Sequence, residues 1–345
     1  MGKKKTDLHL DLSDFKKAHT YKECFHKDKD CSKRIIRAHS IQDNKILVEI
    51  AENGLVLMFS EDINESSKLD YKMEHIGRRV ATTFRGFCNT HDTEIFSPIE
   101  NKNYCNRNRQ QEFIFAYRVF AKEYHTQKTV VSAMEKLADY IYKGEFEKIS
   151  KKYSERPPLT DKERIIKWFN VKRQLFGPVE TLKRMEFYKE KMNRYLDTSD
   201  FEKVISDVIE FDEDYHIAVS AMTFIELDLH KNVINDLTDF STELAPLFVT
   251  VFPQNGKTYV LMSYLKEHQE KYEFIKKQIL NQDIEEQKVI ISNLIVFHFE
   301  NFALSPKLWN KIPGGMQQKI CDYHKEAIRE KRKAILNDKN INLFV

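Results

Sequence analysis

Apolar positions follow different rhythms in different parts of this chain. Between residues 110 and 143, Phe113, Tyr117, Phe120 and Tyr124 recur every three or four positions, and Val130, Met134, Leu137 and Ile141 continue the beat. That spacing predicts one long helix with a single apolar face. The front of the chain is shorter in its periods. Arg34-Ile35-Ile36 reads as strand-like, and residues 44–52 as a short helix stopped by Asn53-Gly54. Residues 55–59 then suggest a strand, 60–68 a polar loop, and 71–76 a second extended piece. A helix is expected from His91 to Ile95, ending before Pro98. Pro157-Pro158 marks a linker, and Thr160-Asp161-Lys162-Glu163 is a capping box that opens a helix. Ser199-Asp200-Phe201-Glu202 reads as another helix start.

The rear third is different again. Residues 215–225 and 248–252 are rich in β-branched and aromatic side chains, and Gln254-Asn255-Gly256-Lys257 carries the Asn-Gly pair of a tight hairpin. Residues 258–264 would return as the partner strand. Helices are expected near 263–282, 285–300 and 315–336. The domain reading is a polar arm at 1–20, a compact module at 21–105, a helical connector at 106–156, and a helical α+β domain with a small antiparallel sheet at 157–345.

Composition narrows the function classes. With 345 residues, 41% hydrophobic and 32% charged, the chain can build real cores under a solvated surface. No run approaches the ~18 apolar residues of a membrane span, and the charged start lacks the apolar core of a secretory signal. A cytoplasmic protein with no membrane partner is expected. The net charge of +3 is unevenly spread: residues 122–200 hold 18 basic against 13 acidic side chains, residues 201–345 hold 17 against 22. The front and middle could approach a polyanion; solvated helix faces are the plainer alternative.

Five cysteines, an odd number, argue against a disulfide framework, and four of them fall in the first 105 residues. Cys24 and Cys31 offer one pair of zinc ligands, and Cys88 and His91 another. A Cys-x2-His at a helix start places both side chains one turn apart, where the helix dipole favours a thiolate. Gly86 permits a close backbone approach just before it. His26, Cys105 and His39 are substitute ligands, Cys105 for Cys24 above all.

The stretch Cys31-x6-Ala38-His39-Ser40-Ile41-Gln42, followed by Gly86-Phe87-Cys88-x2-His91-Asp92, resembles the HNH (ββα-metal) nucleases. It also resembles uncharacterised bacterial proteins associated with mobile elements or phage defence. The resemblance covers residues 20–100. It implies a zinc-braced treble-clef or ββα-like module, and the mostly helical region and rear α+β domain read from the pattern above would follow it. It implies His39 as general base for phosphodiester hydrolysis, a divalent ion such as Mg²⁺ or Mn²⁺ as catalytic cofactor, and Asp92, Asp43 and Asn44 as groups to help hold that ion. The chain departs from the family pattern where Ala38 replaces the acidic residue that often precedes the His, and where Ile95 replaces a His or Lys.

Arg78, Arg79 and Arg85 lie close enough in sequence to contact phosphates of a DNA or RNA partner. Arg118-x6-His125 is similar to the loose Arg-x4–6-His spacing of HEPN ribonucleases, though the helix reads otherwise as aromatic core. Trp168, Phe169, Phe176 and Phe187 interleave with basic residues and are expected in the core at helical spacing. Two functions remain open from sequence: a metal-dependent nuclease in bacterial defence, or a non-catalytic zinc module binding nucleic acid or protein. In either, the rear domain would sense a protein partner or trigger, or form a homodimer.

Overall fold

The computed structural model describes residues 15–32, 34–63, 69–150, 159–327, 330 and 332–345. The expected Pro157-Pro158 linker, most of the polar arm and residues 64–68 of the expected 60–68 loop lie outside these residues; residues 60–63 are not loop but continue the strand that begins at Leu55.

Alternation organises the centre of the molecule. Strand β7 (Leu247–Gln254) sends Phe248 and Phe252 into one core and Leu247, Val249 and Val251 into another. Strand β8 (Lys257–Leu265) divides Leu261 and Leu265 from Val260, Met262 and Tyr264 in the same way. Successive side chains of a strand point to opposite faces, so these strands belong to a sheet covered on both sides. Asn255 and Gly256, with φ of 55° and 78°, make the expected tight turn between them.

Among the described residues the sheet has seven antiparallel strands in the order β3-β2-β9-β6-β7-β8-β5. The others are β2 (Leu55–Ile63), β3 (Leu69–Gly77), β5 (Val204–Phe211), β6 (Ile217–Thr223) and β9 (Phe302–Leu304). It is larger than the small rear sheet expected, because the 55–77 hairpin joins it. Leu57 pairs with Leu304 of β9, which in turn pairs with Ile217 of β6. Outside this sheet, β1 (Ala38–His39) and β4 (Thr83–Phe84) form their own antiparallel pair. The chain therefore leaves β1, contributes two strands to the large sheet, and comes back to β4.

Helix α1 (Asn89–Glu100) follows β4, and α2 (Arg109–Lys143) and α3 (Asp161–Asp197) pack together over one face of the sheet. Asn108 caps α2 by accepting from the Gln111 N–H at 3.1 Å, and Gly144 ends it in the left-handed region at φ 76°. The Thr160–Glu163 capping box forms as expected. Helices α4 (Ile284–His298), α5 (Pro306–Lys311) and α6 (Gly314–Ala327) cover the other face through Ile291, Leu294, Ile295, Leu308 and Ile320.

Four expectations are corrected. α1 runs through Pro98, because buried Phe96 and Ile99 anchor its last turn and a proline there removes only one N–H. Residues 199–202 start no helix: a single 3₁₀ turn, Phe201–Lys203, leads directly into β5, whose Val204, Ile205, Val208 and Ile209 favour extended backbone. The expected 263–282 helix is instead the end of β8, a 3₁₀ turn and a π-helical turn at Ile275–Leu280. Phe169, Phe176 and Phe187 are exposed rather than core. The buried stripe of α3 is Leu175, Leu182, Met185, Tyr188, Met192 and Tyr195, and those three aromatics fall off it.

Candidate metal centre

The centre is assembled from three short pieces. In the first, Phe25 drives its ring among Phe87, Tyr117, Phe120 and Tyr124, at centroid distances of 5.3–6.1 Å, while its N–H donates to the Gly86 carbonyl at 2.6 Å. This pins the loop that carries Cys24 and Cys31 against α2. In the second, Ile35 bridges to Cys88 and the Ile36 N–H donates to the Phe87 carbonyl, leading into β1. In the third, Gly86 turns the chain from β4 into α1. A Cβ at Gly86 would meet the Phe84 ring at 2.5 Å, so only glycine fits. Cys88 is then the N-cap of α1, its sulfur accepting from the His91 N–H at 3.5 Å.

Cys24, Cys31, Cys88 and His91 converge, with ligand atoms all within 4.8 Å of one another. His91 Nδ1 lies 3.3 Å from Cys24 Sγ, 3.5 Å from Cys31 Sγ and 3.4 Å from Cys88 Sγ. A tetrahedral zinc with Zn–S of about 2.3 Å and Zn–N of about 2.1 Å would set S···N edges near ~3.6 Å. The cluster therefore fits such an ion in size, and three thiols with one imidazole suit a metal such as zinc.

The surroundings support ligation by Nδ1. The opposite nitrogen, Nε2, lies 3.3 Å from the Asp28 carboxylate, which accepts its hydrogen and fixes the ring. Burial pushes the Cys24 thiol up, with the neighbouring thiols adding to it. Burial also acts against a Cys88 thiolate, but the His91 backbone N–H and the Ser32 side chain and amide outweigh it and bring Cys88 down to about 7.

The substitute ligands stay outside. Cys105 is exposed in the loop before α2. His26 turns its Nε2 to Asp197 at 3.0 Å, although its carbonyl accepts from Cys24 and Cys31.

His39 sits on β1, apart from the cluster. Burial pushes its ring below the usual imidazole range and the Arg118 charge adds to this, against Asp43 and the carbonyls of Arg78 and Arg79. The ring is therefore neutral near pH 7. Its Nε2 is buried and has no partner among the described residues. Asp92, on α1, has its carboxyl raised to about 6 by burial, with Glu100 adding and Arg118 opposing. His39 and Asp92 thus share the field of one guanidinium, whose Nη2 donates to Glu100 at 2.5 Å.

Asn44 does not join them. It is exposed and lines a separate cleft of about 360 Å³ with Lys45, Glu49, Asn103 and Gln254. Arg78 is paired with Asp43 at 2.5 Å, Arg79 is exposed, and Arg85 is half-buried between β4 and Gly86. Arg118 and His125 are both buried within the chain, His125 donating to the Tyr21 carbonyl at 2.8 Å.

Sequence reasoning missed Asp28 and Glu100, and missed Arg118 as a neighbour of His39. Asp92 and Glu100 lie eight residues apart on one helix face, and that spacing was a usable signal. Sequence reasoning also missed a second His/carboxylate group, Glu243, Glu267 and His268. There the Lys191 ammonium, 3.4 Å from Glu243 and 2.6 Å from Glu267, already supplies the positive charge.

Among the described residues no helix is long and apolar enough to cross a membrane. Comparison of the chain with protein families, with curated proteins and with solved structures finds no match.

Proposed function

We propose that this chain is a metal-dependent nuclease in which a structural zinc at Cys24, Cys31, Cys88 and His91 braces a treble-clef or ββα-like module. The order β1, β4, α1, with ligands at the first turn of the helix, supports that reading. His39 is the general base. The observation that carries it is a buried imidazole nitrogen, Nε2, with no partner among the described residues, on a ring that sits beside the Arg78 and Arg79 carbonyls and whose pKa burial lowers. Such an imidazole is suited to taking a proton from water as that water attacks phosphorus. Asp92 holds a carboxylate on the adjacent helix face. A divalent ion such as Mg²⁺ or Mn²⁺ held near it would neutralise charge building on the phosphate. Arg79, exposed beyond the second strand of the 55–77 hairpin, serves the nucleic-acid backbone. Asn44 is dropped from the catalytic set because it faces another cleft.

A second reading has its own observation. His39 Nε2 is sealed from solvent and Arg78 is committed to Asp43, which suits a zinc module that binds nucleic acid or protein without cutting it.

One experiment separates the two. Purified protein is incubated with plasmid and with RNA in Mg²⁺ or Mn²⁺, beside His39→Ala and a gel-shift binding assay. Cleavage lost by at least ~100-fold in His39→Ala, with binding kept, supports the nuclease. Cleavage that survives the substitution removes His39 from the mechanism, and binding without cleavage in the wild type favours the second reading.

A further inference from the structure

Arg118 is 2% exposed on α2, and among the described residues its Nη2 is the only part of the guanidinium with a protein acceptor, Glu100. The Phe96 ring covers the guanidinium carbon at 3.9 Å. Its Nε and Nη1 are buried and meet no acceptor among the described residues. On β6, Ser220 is also 2% exposed and its hydroxyl is buried without a partner. These two deprived side chains line the same small cavity, together with Ser40, Gln42 and Thr250. Its volume is about 10 Å³, room for one sphere of roughly water size.

Buried donors left dry are costly, and those of a charged group most of all. The chemistry of the walls says what would satisfy them. Arg118 offers only hydrogens. Ser40 already donates to the Thr82 carbonyl and accepts from Asn301, and the Gln42 amide donates to the Ile99 carbonyl. The Ser220 hydroxyl can turn its hydrogen inward. The nearest carboxylate to the guanidinium, Glu100, is 39% exposed, so the buried positive charge is only partly compensated from that side.

We propose that this cavity is a site for one monovalent anion of chloride size, held by Arg118 Nε and Nη1 and by the Ser220 hydroxyl. The anion accepts from the two unpartnered guanidinium nitrogens and from the Ser220 hydroxyl and offsets the buried charge, which a neutral water does not. It ties α2 to β6 and to the Ser40–Gln42 segment that follows His39. The proposal does not depend on nuclease activity.

Crystals of the full chain soaked in sodium bromide, with data collected at the bromine edge, test it directly. An anomalous peak within hydrogen-bonding distance of Arg118 and Ser220 is expected; density without anomalous signal, or no density, overturns the proposal. In solution, thermal unfolding is followed in sodium chloride and in sodium gluconate at matched ionic strength. A saturable rise in Tm with chloride alone is expected, weakened roughly tenfold in apparent affinity by Ser220→Ala and lost in Arg118→Met. An equal response to gluconate, or an unchanged chloride response in Ser220→Ala, rejects the site. Ser220→Ala removes a single oxygen and carries this arm if Arg118→Met does not fold.

Discussion

Around Cys24, Cys31, Cys88 and His91 the regular structure is slight: β1 and β4 are two residues long each, and the described residues of the 20–34 loop form no helix or strand. Across the molecule, strands β6, β7 and β8 run seven to nine residues and bury most positions on both faces, while the edge strand β5 buries half of its eight. The sheet holds itself through side-chain packing. The module packs Phe84, Phe87 and Phe96 beside its plug at Phe25, and its Cys/His cluster could add coordination to that packing. A region poor in secondary structure can be ordered by coordination, whereas a region rich in it needs none.

The largest test of this contrast is to take the coordination away. Cys88→Ala, or a strong chelator, should release one zinc per chain and unfold the module. Metal analysis with hydrogen exchange reads this: amides at 22–39 and 83–92 should lose protection while β6, β7 and β8 keep theirs. Equal loss in both regions would abolish the distinction.

A core truncation in the sheet is the reverse experiment. Leu261→Ala should cost about 2–5 kcal/mol by urea unfolding, with the metal content unchanged.

Acid offers a finer comparison, because burial lowers a histidine to about 4 in each region. Burial lowers His125, behind the module, and His298, behind the sheet, to about 4 each, against the usual 6.5. A folded-state value below the unfolded one means that the unfolded chain binds the proton more tightly. The stability each provides is complete above pH ~6.5 and is lost as pH falls towards 4, at about 2–3 kcal/mol each. Unfolding curves at pH 7 and 4.5 should show this loss. His125→Gln, which can keep the bond to the Tyr21 carbonyl, should remove its share of the slope, and His298→Gln the other.

The smallest effect lies far from both regions. Thr160→Ala removes the cap of α3 and should cost about 1 kcal/mol, seen as faster exchange in the first turn of that helix.

Much of this contrast was legible in the residues. Cys24, Cys31, Cys88 and His91 were readable as a set because ligand chemistry is written in residue type, and Gly86 because a close approach excludes a side chain. The long helix α2, the Asn255-Gly256 hairpin and the Thr160 capping box were readable because their causes are local. The membership of β2 and β3 in the large sheet was not. Their partner β9 is only three residues long and lies more than 220 positions away, and nothing local encodes that pairing. The buried place of Arg118 was hidden for the same reason: an arginine on a helix reads as surface until Ser220 and Phe96 arrive around it. Exposed Phe169 and Phe176 misled because helical spacing cannot say where the neighbouring layer stops.

The detour between His39 and Thr83 has a practical outcome for anyone wishing to cut this protein apart. An excised fragment ending near residue 105 would carry β2 and β3 away from β9, leaving bare backbone edges on both pieces. Such edges recruit other chains. Neither half is expected to survive alone in dilute form, and the two should be made, purified and assayed as one length of polypeptide.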